Sequence, residues 1–132
     1  MEIKFCGEKF FVKKGFHPPL SKSFNLLQDK ERFNFMVKHI ILWKLKEGVN
    51  KDEVKSNAKK ALESLQGKID GLVSIKVNTC GLASSNADMM LDSLFVSEEA
   101  LKAYSVHPEH QAAANNFVRP FTAERFCLDF EE

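Results

Sequence analysis

The stretch "MVKHIILWKLK", residues 36–46, is apolar on both sides of an extended chain. Side chains alternate across a strand, so Val37, Ile41, Trp43 and Leu45 share one face, and Ile40 and Leu42 the other. His39 falls between Val37 and Ile41 and points where they point. Branched and aromatic residues of this kind favour strand. A strand that is apolar on both faces is ordinarily covered on both. Whatever follows must therefore supply two covers.

Downstream, the pattern reads β-α-β-β-α-β. Asn50 followed by Glu53 has capping-box spacing, and Val54, Ala58, Ala61, Leu62 and Leu65 then recur on one helical face. Gly67 and Gly71 punctuate the exit. "LVSIKVN" alternates, which predicts Val73, Ile75 and Val77 on one side, and "DMMLDSLFV" predicts a third strand. Ser97 before Glu98 and Glu99 marks a second helix start, with Leu101 and Tyr104 inside it and a restart after Pro108. "ERFCLDF" closes as a strand with Phe126, Leu128 and Phe130 on one face. This is the split βαβ, ferredoxin-like plan of an α+β subunit. Two helices cover only one side of four strands. The second face of the sheet then calls for another copy, sheet against sheet, and this predicts a homodimer.

Composition bounds the function. The 132 residues fit one domain, and 44% hydrophobic with 28% charged residues is the balance of a soluble globular chain. A net charge of +1 offers no field to hold a nucleic-acid backbone. No apolar run nears the roughly 20 residues that a membrane span needs. Three cysteines, Cys6, Cys80 and Cys127, form neither a disulfide framework nor a CxxC site, which predicts a reducing cytoplasm.

Residues 1–35 differ from the rest. They hold seven of the twelve phenylalanines without a sustained period, and seven Lys/Arg against four Asp/Glu, a net of +3. The remaining 12 basic and 14 acidic residues give −2. "IKFCGEKFFV" suits a short hairpin around Gly7, and "HPPL" is a breaker. The Lys-Glu-Arg of "DKERFNFM" can be encoded by a purine-rich, ribosome-binding-like run upstream of Met36. One reading therefore makes 1–35 translated leader before a domain of residues 36–132. The other makes its phenylalanines part of the native core, where they would be a rival cover for the open sheet face.

"MVKHIILWKLKEGV", "SEEALKAYSVHPEHQA" and "ERFCLDFEE" together closely resemble the stress-responsive dimeric α/β-barrel (Dabb) family. The resemblance runs from Met36 to Glu132. It implies a ferredoxin-like subunit, a dimer whose sheets form a barrel, and a cleft between sheet and helices. Most such proteins have no assigned activity, while plant members resemble cofactor-free polyketide cyclases using a His and a Tyr in that cleft. Carried onto this chain, the cyclase pocket falls at His39, Tyr104 and His110. A further pocket histidine falls at Met89, whose thioether cannot move protons.

The residues themselves leave alternatives open. His107 before Pro108 occupies a helix-cap position. His110 begins a stripe continuing through Ala113, Ala114, Phe117 and Phe121, and reads either as a partly buried structural histidine or as a base. Tyr104, the single tyrosine, either packs its ring and bonds its hydroxyl or acts as a proton donor. Trp43 is a core or dimer-face aromatic. A metal at His110 would need further ligands such as His39, Cys80 or Asp92, which no spacing brings together. There is no GxGxxG, P-loop or GxSxG, so no cofactor is implied. Two function classes remain: a small dimer holding a modest apolar or aromatic ligand without chemistry, and a cofactor-free acid-base enzyme acting on a small carbonyl or aromatic compound.

Overall fold

Four antiparallel strands and three helices form the computed structural model, which describes residues 35–132. The hairpin expected around Gly7 and the Phe-rich segment up to Asn34 lie outside the described residues. The strands are β1 (Val37–Leu45), β2 (Leu72–Asn78), β3 (Met89–Phe95) and β4 (Thr122–Glu131). The helices are α1 (Lys51–Glu63), α2 (Glu98–Ser105) and α3 (Pro108–Phe117), followed by a 3-10 turn at Arg119–Phe121. The sheet order is β2-β3-β1-β4, so β1 is central and its last-made partner, β4, is an edge. The arrangement is the ferredoxin-like one expected.

Local chemistry explains the helix ends. The Asn50 side chain accepts the Glu53 N–H at 3.1 Å, and the Ser97 hydroxyl accepts the Ala100 N–H at 3.1 Å. Gly71 takes a φ of +87°, and a Cβ there would lie 2.5 Å from the Ala100 Cβ, so the turn into β2 requires glycine twice over. Pro108 starts α3, where its missing N–H is no loss. His107 caps that helix through Nδ1, which accepts the Glu109 N–H at 3.1 Å. Asparagine can make the same bond, so His107→Asn is expected to change unfolding free energy by no more than about 1 kcal/mol in urea titration. A larger loss would give His107 a role beyond the cap.

The core lies between the helices and one face of the sheet. Val37, Ile41, Trp43 and Leu45 from β1 meet Val54, Ala58, Leu62 and Leu65 from α1 and its exit, with Leu91 and Phe95 from β3. Trp43 is therefore a core residue. Two expectations require correction. A register shift between Leu72 and Ser74 sends Leu72 inward and leaves Val73 38% exposed, so the inward set of β2 is Leu72, Ile75 and Val77. Phe117 is likewise 38% exposed, and Val118 replaces it in the buried stripe after Ala113 and Ala114.

Among the described residues, nothing covers the opposite sheet face. In the β1–β4 register, Lys38 faces Phe130, Ile40 faces Leu128 and Leu42 faces Phe126. Directly opposed residues share a face, so these side chains form one apolar surface, continued on β3 by Met90 and Leu94. Phe126 and Leu128 are 63% and 64% exposed, and no residue of β4 is buried. Lys38 and Asp92 supply an ion pair on this surface, at 2.6 Å.

Candidate functional site

All three residues singled out in the sequence reach one cavity. His39 is buried on the inner face of β1, Tyr104 is 1% exposed near the end of α2, and His110 is half-buried in the first turn of α3. The Val106–Pro108 break between the helices is what stacks the last two. It turns the chain so that the Tyr104 and His110 rings lie 4.2 Å apart between centroids, tilted by 36°. Tyr104 also meets Phe95 edge-on at 4.9 Å and His39 at 6.2 Å. The cavity has a volume of about 510 Å³. Ile41, Trp43 and Leu91 give it an apolar wall, and Arg119 and Arg125 bring positive charge to it.

The hydrogen bonds distinguish the three side chains. His39 Nδ1 lies 2.5 Å from Asp129 Oδ1, its direct partner in the β1–β4 register. With the carboxylate there, Nδ1 is the donor of this bond. Ser93, opposite His39 on β3, donates its hydroxyl to the His39 carbonyl at 2.8 Å and so ties down the strand at this point. His110 Nδ1 donates to the Ser105 carbonyl at 3.3 Å, which leaves Nε2 as the acceptor. The Tyr104 hydroxyl is buried without a hydrogen-bond partner among the described residues.

Burial sets the protonation. Loss of water lowers the His110 pKa; the Ser105 carbonyl opposes this, and Arg119, His39 and Arg125 add to the lowering. The ring is then neutral at pH 7 and able to accept a proton. Burial pushes the Tyr104 hydroxyl far above the usual tyrosine range, with Arg125 working weakly against it. Tyr104 thus keeps its proton and is a donor. The Cys127 thiol is raised by burial and by Asp129 beside it.

Several contributors escape sequence reasoning. Asp129 and Cys127 occupy the inner face of β4 beside His39, with Cys127 Sγ 3.4 Å from Asp129 Oδ1. Their alternation against Phe126, Leu128 and Phe130 is visible in the sequence, but the register that puts Asp129 opposite His39 is not. The ligands considered alongside His39 do not join it. Asp92 lies on the uncovered face, paired with Lys38, and Cys80 is exposed in the β2–β3 loop. Met89 is buried beside Trp43.

Four antiparallel strands with the helices over one face make this a ferredoxin-like α+β chain. Residues 37–132 match the model of the stress responsive A/B barrel domain, Dabb, and the chain belongs to that family. An uncharacterized protein of Streptomyces coelicolor is 34% identical over 82 residues, spanning 58% of this chain and 81% of its own length. A dimeric protein of unknown function from Bacteroides fragilis, with a ferredoxin-like fold, is similar at a TM-score of 0.69 and 34% identity, over 74% of this chain and 96% of that one. A dimeric ferredoxin-like protein from Thermobifida fusca follows at 0.66 and 28%, over 75% and 92%. Among the described residues, no helix is long and apolar enough to cross a membrane.

Proposed function

We propose that this chain works as a homodimer, two sheets packed through the face bearing Ile40, Leu42, Phe126 and Leu128, with each subunit holding a small aromatic or apolar carbonyl compound in its cavity. The unpartnered Tyr104 hydroxyl carries the ligand reading. A buried donor without an acceptor costs about 1–3 kcal/mol, and this one lines a cavity next to a neutral imidazole. A ligand carbonyl supplies the missing acceptor, while Trp43, Ile41 and Leu91 take its apolar body. The dimeric relatives from Bacteroides fragilis and Thermobifida fusca support the assembly. The free thiols of Cys80 and Cys127 support a reducing compartment, the cytoplasm. A part in stress response comes to this proposal from the family description alone.

Trp43 is the single tryptophan and lines the cavity, so its fluorescence reads occupancy directly. Acetophenone and benzaldehyde serve as probes. Saturable quenching by either one, weakened at least tenfold in His110→Ala with an unchanged circular dichroism spectrum, is the expected result. Quenching that never saturates, or that His110→Ala leaves intact, overturns the ligand reading.

Acid-base catalysis is a second reading, favoured by the convergence of His39, Tyr104 and His110. Tyr104 would donate to the carbonyl oxygen while a neutral imidazole removes a proton from the adjacent carbon, a pairing that needs no cofactor. It predicts enzyme-dependent deuterium exchange into the acetophenone methyl group, lost in His110→Ala.

A further inference from the structure

His39, Cys127 and Asp129 form a second grouping, distinct in chemistry from the Tyr104–His110 stack. Their Nδ1, Sγ and Oδ1 atoms all lie within 4.8 Å of one another. The register makes this so: Asp129 sits opposite His39, and Cys127 is the next inward side chain of β4, opposite Ile41. The three distances are 2.5 Å from nitrogen to oxygen, 3.7 Å from sulfur to nitrogen and 3.4 Å from sulfur to oxygen.

One imidazole, one thiol and one carboxylate are a poor set for calcium or magnesium, which take oxygen ligands, and a good one for zinc. Tetrahedral zinc, with bonds of about 2.3 Å to sulfur and 2.0–2.2 Å to nitrogen and oxygen, sets its ligand atoms roughly 3.3–3.6 Å apart. Both sulfur distances already lie near that range. The nitrogen–oxygen pair must open by roughly 1 Å to reach it, and Asp129, 45% exposed, is the member of the pair that the core does not enclose. Cys127 and Asp129 are both exposed on β4, which leaves solvent to take the fourth position. Three protein ligands and one exchangeable place is the pattern of a reactive rather than a structural zinc site.

We propose that His39, Cys127 and Asp129 bind Zn²⁺, with the fourth position left to water. On binding, the Cys127 thiol loses its proton to solvent and the His39 proton moves from Nδ1 to Nε2, so the metal replaces the His39–Asp129 hydrogen bond. The site shares His39 with the cavity wall but neither Tyr104 nor His110, so metal binding is read apart from probe binding at those two residues.

The test is titration of the full chain with Co²⁺ as a coloured stand-in for zinc, followed by displacement with Zn²⁺. Expected are a near-ultraviolet thiolate-to-cobalt band and intense visible bands of a tetrahedral ion, both abolished by Zn²⁺. The double variant Cys6→Ser, Cys80→Ser keeps both, and Cys127→Ser loses the thiolate band. In competition with a chromophoric chelator, His39→Gln and Asp129→Asn each weaken Zn²⁺ binding at least tenfold, with circular dichroism confirming that the variants fold. A pale octahedral spectrum overturns the proposal. So does a thiolate band that survives Cys127→Ser, or a folded Asp129→Asn protein with undiminished affinity.

Discussion

Leu128→Asp is expected to turn the protein into a monomer. In light scattering, the wild-type chain should report twice its 15.0 kDa mass and the variant that mass alone. Leu128 lies between Phe126 and Phe130 on the uncovered face and opposite Ile40, whose other neighbour in register is Asp92. A carboxylate there would be buried against an apolar partner surface. A loss of at least a hundredfold in association, about 3 kcal/mol, follows. The fold itself should survive, because the core beneath α1, α2 and α3 is on the other side of the sheet. A wild-type monomer, or a Leu128→Asp dimer of undiminished strength, would mean that something other than a second copy covers this face.

Tyr104→Phe is expected to separate stability from function. The ring fills a fully buried place against Phe95 and His110, and phenylalanine keeps it. The hydroxyl alone is lost, and among the described residues it has no partner to leave behind. Removing a buried, unpaired polar group should raise unfolding free energy by about 1 kcal/mol, a few degrees in melting temperature. Probe binding read from Trp43 should nevertheless weaken at least tenfold, since the ligand oxygen loses its donor. Tyr104→Ala, by contrast, opens a cavity and should cost about 3–5 kcal/mol. If Tyr104→Phe lowers stability, the hydroxyl is bonded in the folded protein and the argument from its isolation is lost.

Much of this was legible before any coordinates. The two-sided apolarity of β1 announced an uncovered sheet face, and Asn50, Ser97 and His107–Pro108 marked all three helix starts through capping chemistry that acts over a few residues. The family resemblance is what assigns His39, Tyr104 and His110 to one cleft; strand alternation by itself says only that His39 points with Val37 and Ile41, and helix periodicity only that His110 shares a stripe with Ala113 and Ala114. What stayed hidden depended on register between distant strands. Period-two alternation points Val73 inward and has no way to signal the irregularity at Leu72–Ser74 that reverses it. Phe117 fits the helical stripe by position, yet the chain turns at Val118 and that smaller residue takes the place. Asp129 and Cys127 had the right face but no visible partner, since pairing with β1 spans 90 positions.

That same pairing has a consequence for how the protein is made. β1 is the central strand and the first of the domain to leave the ribosome, while β4, which completes its pairing, is the last. Until β4 emerges, one edge of a hydrophobic central strand has backbone groups without their final partners and no neighbour to blunt them. Contacts of such long sequence separation form slowly. Nascent chains therefore pass through a stage at which Val37–Leu45 is the segment most exposed to wrong association, and the domain's time in that stage is set by translation rather than by the sheet's own stability.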